Sequence, residues 1–200
     1  MKISLVIPMI NLNPYLEELA ITAAVSYRDQ VDQLIISEGG GNFSEKLRKI
    51  ADLYLYSHEN VGFTKNVNRG WRLAEGDFVM IVNSDTCLLH HGKLADLCIP
   101  GKVTSPIIAN QYIDRLAGPF WCTPKEVTKE RGYLLEELKT YSSDSEYDSR
   151  VKDIFQKVDT VQIYHEQAQT VKALGIEGGE EQERDRKIYQ KLIEEGKASG

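Results

Sequence analysis

Residues 78–86 read FVMIVNSDT, an unbroken apolar run that ends in four polar side chains. Strands that are covered by helices on both faces of a parallel sheet have this near-continuous apolar character. Shorter runs of the same kind precede it at residues 3–7, 34–36 and 53–55. Helical patterns lie between the runs, and strands that alternate with crossover helices form βαβ units. The sequence therefore predicts an α/β fold with a mostly parallel central sheet and flanking helices.

The helix predicted just before this run has one apolar face. Phe63, Val67 and Trp71 recur at helical spacing. Lys65 and Asn66 fall on the opposite face, where side chains contact solvent. Lys65 is close enough to the expected ligand edge to neutralise a diphosphate, although a solvated helix face is the commoner position for such a residue.

The second half of the chain has weaker patterns. The predicted elements are strands at 103–108, 119–122 and 160–164, a broken helix at 125–139 and a helix at about 145–156. Beyond residue 175 the composition becomes highly charged, with a single apolar stripe. We therefore predict one domain over residues 1–175 and a charged helical tail over residues 176–200, which could pack on another subunit of a homo-oligomer.

Composition excludes several classes of protein. Of the 200 residues, 42% are apolar and 27% are charged, as in an ordinary globular domain. The net charge of −6 argues against a nucleic-acid partner, whose phosphates require lysine and arginine. No apolar run approaches the ~20 residues of a membrane span, and the first residues lack the pattern of a signal peptide. The expectation is a cytoplasmic protein without a transmembrane segment.

Polar side chains follow each of the four apolar runs. Open α/β sheets bind ligands beyond the carboxyl ends of their strands, so these side chains mark the expected site. Ser37 and Glu38 are followed by three glycines, which let the backbone approach a ligand closely. The glycine-rich signatures of dinucleotide-binding folds and P-loops are missing after the first strand.

Asp85 ends the 78–86 segment as the carboxylate of the sequence Asn83-Ser84-Asp85-Thr86. A carboxylate at the ligand edge of a sheet suits a hard divalent cation that shares its oxygen ligands with phosphates. One carboxylate makes a weak site, so a diphosphate and water would have to complete it. The structural alternative is an Asx turn, in which these side chains bond their own backbone.

Five motifs in this order resemble those of the family 2 glycosyltransferases. They are LVIP at 5–8 with Asn11 or Asn13, LIISEGG at 34–40, NVGF at 60–63 continuing to Asn68 and Gly70, AEGDF at 74–78, and NSDT at 83–86. The last is similar to the metal-binding motif of the rhamnosyltransferase-like members. The resemblance covers roughly residues 1–170 and implies the GT-A fold, a nucleotide-diphospho-sugar transferase fold.

The resemblance also implies the roles of individual residues. Asp144 stands at the position of the general base, and His165 stands where the family has a metal ligand beside the Asp85 position. The donor-binding positions are Pro8, Asn11, Glu38, Gly39, Lys65, Asn83 and Ser84. The cation would be Mn²⁺ or Mg²⁺, and the donor would be a UDP-, dTDP- or GDP-linked sugar.

Spacing supports bringing Asp144 and His165 together. A helix over 145–156 is about 15–18 Å long, and a strand over 160–164 is about 16 Å long. A strand that runs back antiparallel to the helix would therefore end with His165 near Asp144. The structural alternatives are that Asp144 caps its helix and that His165 is a satisfied structural histidine.

Four residues depart from the family pattern. Ser37 and Glu38 each replace an aspartate, Asn83 replaces the first metal-motif carboxylate, and Ser143 replaces an acidic residue before the base. The function that the resemblance implies is an inverting, metal-assisted transfer of a sugar to an acceptor hydroxyl, on a carbohydrate or another molecule. The alternatives are a catalytically silent GT-A-like module that serves binding or assembly, and, less favoured, a nucleotidyltransferase, which needs a basic, glycine-rich first loop.

Overall fold

The computed structural model of the chain describes residues 1–89, 92–116, 118–167, 169–175 and 179–198. Within those ranges the strands are β1 (Ile3–Asn11), β2 (Gln33–Gly41), β3 (Leu53–Ser57), β4 (Phe78–Val82), β5 (Thr86–Leu88), β6 (Val103–Ile108), β7 (Phe120–Pro124) and β8 (Phe155–His165). The helices are α1 (Pro14–Arg28), α2 (Glu45–Ile50), α3 (Phe63–Arg72), α4 (Lys125–Arg131), α5 (Ser143–Val151), α6 (Gln169–Leu174) and α7 (Glu180–Glu194), with a short 3₁₀ helix at Leu94–Leu97.

The strands form a single sheet in the order β3-β2-β1-β4-β7-β6-β8-β5. The first four are parallel to one another, and Val6 of β1 pairs with Ile35 of β2 on one side and Ile81 of β4 on the other. β7 runs antiparallel to β4 and to β6, β8 runs parallel to β6, and β5 runs antiparallel to β8. The predicted mostly parallel α/β sheet is confirmed.

Helices cover both faces of this sheet. Along β1, Leu5 and Ile7 belong to one buried apolar cluster, whereas Val6 belongs to the other. This alternation explains why the strand is apolar throughout, since both of its faces are buried. Trp121 of β7 is fully buried in the second cluster and lies 6.3 Å from Trp71, ring centre to ring centre, so it is a core residue.

The second half departs from the predicted boundaries. The helix predicted over 145–156 ends at Val151, and Phe155 instead begins β8, where it pairs with Val103 of β6. The helix predicted over 125–139 ends at Arg131, because Gly132 follows with a φ of 79°, which stops the helix.

The predicted helical tail contains α7, whose Asp185 is buried against residues 139–141 of the same chain. Residues 176–178, 199 and 200 of that tail lie outside the described ranges. Across the described part of the chain, no helix has both the length and the apolar character needed to cross a bilayer.

Candidate active site

A cavity of about 300 Å³ lies beyond the carboxyl ends of β1, β2 and β4. This is where an open parallel sheet binds its ligands. Seven of the predicted site residues line it: Pro8, Gly39, Asn83, Ser84, Asp85, Asp144 and His165. Thr170, Val171 and Leu174 of α6 line it as well, so this short helix forms part of its wall.

Asp85 and His165 meet in this cavity because the strands that they adjoin are paired. Thr86 of β5 lies opposite His165 of β8 in the antiparallel register. The distance from His165 Nε2 to Asp85 Oδ1 is 3.2 Å, and both side chains are buried. The other carboxylate oxygen of Asp85 accepts a hydrogen bond from the backbone N–H of Gln169, at 3.3 Å.

The imidazole of His165 is held from its other side. Its Nδ1 lies 2.8 Å from the side-chain amide of Gln111. Asn110 bonds both backbone groups of His165, donating to its carbonyl at 2.7 Å and accepting from its N–H at 3.3 Å. These contacts direct Nε2 towards Asp85. A histidine that binds a metal through Nε2 donates a hydrogen bond from Nδ1, so in a metal-bound state Gln111 would present its amide oxygen there instead of its nitrogen.

The residues present fit a divalent cation. His165 Nε2 and Asn83 Oδ1 are buried without a hydrogen-bond partner among the described residues, and both residues line the cavity beside Asp85. Buried polar atoms are normally paired, so two orphans beside a carboxylate indicate room for a cation. The described ranges contain no cluster of three His, Cys, Asp or Glu side chains that could hold a metal ion. The Asn83 amide oxygen, a diphosphate and water would therefore have to complete the ligand set.

Asp144 lies in the first turn of α5 and faces the same cavity. Its Oδ2 accepts from the backbone N–H of Gly118 at 3.1 Å, and its Oδ1 accepts from that of Ser145 at 2.9 Å. The N-cap of α5 is Ser142, and Asp144 lies inside the helix. The alternative that Asp144 caps this helix is therefore wrong. The two backbone bonds fix the direction of the carboxylate and leave a lone pair on each oxygen.

Three predicted donor-binding residues, Asn11, Lys65 and Glu38, do not line the cavity. Asn11 is buried and donates its side-chain amide to the carbonyl of Asn42 at 2.8 Å. Lys65 is exposed on α3. There it adds to the effect of the Asn68 hydrogen bond and of Arg72, which lower the pKa of Glu136. The structure therefore does not bring Lys65 to the site.

Glu38 is fully buried and accepts a hydrogen bond from the hydroxyl of Tyr54. Burial raises the pKa of its carboxyl to about 7, against the opposing effect of the Tyr54 hydrogen bond. Its second oxygen has no partner among the described residues. Glu38 is therefore placed behind the cavity wall, whereas its neighbour Gly39 forms the wall itself.

Asn66 is a site residue that the helical pattern misplaced. It is buried and lines the cavity instead of facing solvent. Its amide nitrogen donates to the carbonyls of Met9 at 2.9 Å and Ser37 at 2.7 Å, and its oxygen accepts from the Ser37 hydroxyl at 2.7 Å. Asn66 thus connects the ends of β1 and β2. The polar residue Ser37 at the end of an apolar strand was the signal that a polar partner lay opposite it.

The fold and part of the sequence are similar to those of known glycosyltransferases. Residues 4–98 match the family model for Glycosyl transferase family 2. No curated protein matches the chain. Among solved structures, TarS of S. aureus is similar at 18% identity and a TM-score of 0.62, over 82% of this chain and 36% of TarS.

Two further structures were solved with ligands. GalNAc-T7 with UDP, GalNAc and Mn²⁺ has 12% identity and a TM-score of 0.68, over 82% of this chain and 44% of that one. The mannosyltransferase PcManGT of Pyrobaculum calidifontis with GDP-Man and Mn²⁺ has 14% identity and a TM-score of 0.59, over 84% and 57%. The chain thus spans less than two thirds of each of the three structures. These structural likenesses show that the chain has the GT-A fold.

Proposed function

We propose that the protein is an inverting glycosyltransferase that moves a sugar from a nucleotide-diphosphate donor to an acceptor hydroxyl. The observation that carries the proposal is the shared cavity at the ligand edge of a GT-A sheet, which is lined both by the two candidate cation ligands, Asp85 and His165, and by a separate carboxylate, Asp144. The similar structures support the donor class, since TarS binds UDP-GlcNAc and PcManGT binds GDP-Man in their solved complexes.

Asp85 and His165 would hold Mn²⁺ or Mg²⁺, with Asn83 Oδ1 as a neutral third ligand. The cation would supply positive charge to the diphosphate as the leaving group departs. Gly39 and Pro8 form the wall on the side of β1 and β2, where a nucleoside would lie. A side chain at residue 39 would meet Asn66 at 2.7 Å, so the glycine keeps this wall open.

Asp144 would take the proton of the acceptor hydroxyl. The backbone N–H groups of Gly118 and Ser145 orient its carboxylate, so that a free lone pair can face an acceptor in the cavity. The acceptor oxygen forms a bond to the anomeric carbon as the bond from that carbon to the diphosphate oxygen breaks. The proton passes to Asp144 and the nucleoside diphosphate leaves with the electron pair. One displacement of this kind inverts the anomeric centre.

Calorimetry with UDP, dTDP and GDP, each with and without Mn²⁺, tests the proposal. We expect one nucleotide to bind at least tenfold more tightly with Mn²⁺, and Asp85→Asn to remove that gain because it neutralises the carboxylate. Asp148→Asn is the control, since Asp148 is on α5 and accepts the N–H of Leu116 at 3.0 Å outside the residues that line the cavity. If none of the three nucleotides binds in a metal-dependent way, the enzymatic proposal fails.

The alternative of a silent module makes a different prediction. Such a protein could still bind a nucleotide, but it would not release UDP or GDP from UDP-GlcNAc or GDP-Man. The substitution of a metal-motif carboxylate by Asn83 is the observation that favours it. A donor screen that measures nucleotide release, which water can support without a known acceptor, separates the two functions.

A further inference from the structure

Asp185 is an unusual residue for its helix. Within the described ranges, α7 buries Asp185 alone, while its other side chains are partly or fully exposed. Carboxylates are almost never fully buried unless they are paired, because burial costs the hydration of the charge. A helix that needed only to attach to the domain would use its apolar residues, so the buried carboxylate requires a specific explanation.

The carboxylate is bound by the backbone of residues 139–141. Its Oδ2 accepts from the N–H groups of Thr140 at 2.8 Å and Tyr141 at 2.9 Å. Its Oδ1 accepts from the guanidinium of Arg184 at 2.6 Å. Burial opposes ionisation, but the backbone N–H groups and Arg184 outweigh it and hold the pKa of Asp185 below its ordinary value. Asp185 therefore acts as a charged acceptor for that segment.

Glu181, one turn earlier on α7, binds the same segment. Its carboxylate accepts from the ammonium of Lys139 at 2.7 Å and from the hydroxyl of Thr140. On its other side the segment contacts the start of α3, because the Lys139 carbonyl accepts from the N–H of Thr64 at 3.1 Å. Residues 139–141 are thus held between α3 and α7.

The segment leads directly into the cavity wall. Residues 140–144 line the cavity, and Asp144 is the last of them. Ser142 adopts a φ of 61°, a left-handed conformation that costs energy for a residue other than glycine. It is also the N-cap of α5 without a side-chain capping bond. The backbone conformation from Thr140 to Asp144 therefore depends on contacts with residues outside this segment.

We propose that Asp185 is a positioning residue, whose carboxylate holds residues 139–141 and thereby places the Asp144 carboxylate in the cavity. The inference rests on the proposed function, because it takes Asp144 as the base. It assigns the charged C-terminal helix to the sugar-transfer site and not to assembly. Asp185 touches no substrate, and it acts through the two backbone N–H groups that it accepts.

The experiment compares Asp185→Ala, Asp185→Asn and Glu183→Gln in the full chain. Asparagine can still accept both backbone N–H groups through its amide oxygen, whereas alanine accepts neither. Glu183 lies on the exposed side of α7, where it pairs with Arg186 at 2.8 Å, and it serves as the control. The measurements are kcat and donor KM for nucleotide release from UDP-GlcNAc or GDP-Man, and amide hydrogen exchange of Thr140 and Tyr141.

We expect kcat to fall about 10- to 100-fold in Asp185→Ala at a donor KM within about twofold of the wild type, since small misplacements of a catalytic group have effects of this size. Exchange at Thr140 and Tyr141 should accelerate in the same variant. Asp185→Asn should restore most of kcat and of the protection from exchange, and Glu183→Gln should match the wild type. Both constants are calculated per folded enzyme, with the folded fraction measured by circular dichroism, because a role only in stability would lower the apparent kcat through that fraction and leave the kcat of the folded enzyme unchanged.

Two results overturn the inference: an unchanged kcat in Asp185→Ala, or a donor KM that rises in proportion as kcat falls. If Asp185→Ala does not fold, Asp185→Asn decides: kcat and exchange at Thr140 and Tyr141 that stay at wild-type values or change together support the inference, and accelerated exchange at an unchanged kcat contradicts it. A wild type that releases no nucleotide contradicts the proposed function instead. In that case the exchange rates alone decide whether Asp185 holds the segment.

Discussion

Glu38 is a buried carboxyl group at the end of β2, and its environment favours the neutral form. Burial raises its pKa to about 7, while the unfolded chain has the ordinary value of 4.5. Between these values the unfolded state has released the proton and the folded state still holds it. The free energy of unfolding therefore falls as pH rises from about 4.5 to 7, by about 1.4 kcal/mol per pH unit at most for one group.

Glu38→Gln should remove this contribution, because the amide keeps the acceptor for Tyr54 and does not titrate. We measure the free energy of unfolding of both proteins by urea denaturation from pH 4.5 to 7.5. We expect the value for the variant minus the value for the wild type to increase as pH rises. Glu45→Gln is the control, since Glu45 is an exposed residue paired with Arg48 at 2.7 Å. Parallel curves for wild type and Glu38→Gln would mean that Glu38 is ionised throughout.

Asp144 and Asp148 form a matched pair of carboxylates on α5. Each accepts a backbone N–H, from Gly118 at 3.1 Å and Leu116 at 3.0 Å, but only Asp144 lines the cavity. Asp144→Asn should lower turnover about 10²- to 10⁴-fold, the usual contribution of a general base. Nucleotide affinity should stay within about threefold, because Asp144 is separate from the Asp85–His165 pair. Asp148→Asn should change turnover little, and equal losses in both variants would make α5 a structural element only.

At the scale of elements, α3 packs closely against the sheet through Gly70. A Cβ at this residue would lie 2.4 Å from Val6 Cγ1 of β1. Alanine normally stabilises a helix by about 0.5–1 kcal/mol relative to glycine. Here the overlap with a rigid core strand should reverse the sign, so that Gly70→Ala destabilises the fold by about 1–3 kcal/mol in chemical denaturation. Thr22→Ala, on an exposed face of α1, should change stability by less than about 0.5 kcal/mol; a stabilised Gly70→Ala would contradict the close packing.

The elements that the sequence predicted best are those whose signal is local. β4 and β6 have the predicted bounds, because an apolar run flanked by polar residues is complete within a few positions. The start of β8 was placed at residue 160 and lies at Phe155, since the pairing of Phe155 with Val103 depends on a distant strand. Helical periodicity predicts an exposed position for Asn66, because it does not report a polar group that donates hydrogen bonds to backbone carbonyls of two strands.

The difference between local sequence signals and contacts with distant residues also applies to the candidate site. The predicted residues Asp85, Asp144 and His165 share the cavity, and they do so because the antiparallel β5–β8 pair and the start of α5 lie at the same edge as β4. Glu38 is predicted from its motif position and Lys65 from its positive charge on the polar face of α3, and the structure places the first behind the wall and the second on an exposed helix face. Motif order locates a strand end correctly, but the direction of a side chain there depends on its packing.

At the scale of the whole molecule, a ligand that binds the folded chain alone must raise its melting temperature. If UDP with Mn²⁺, or the nucleotide that calorimetry selects, is present at 100 times its Kd, it adds about 2.7 kcal/mol. For a domain of this size each kcal/mol corresponds to about 2–4 °C, so we expect Tm to rise by about 5–10 °C. His165→Ala should lose most of the metal-dependent part of this shift. His58→Ala should keep it, because His58 is an exposed residue beside Tyr56 and does not line the cavity. If nucleotide with Mn²⁺ shifts the wild type and His165→Ala equally, the cation does not bind through His165.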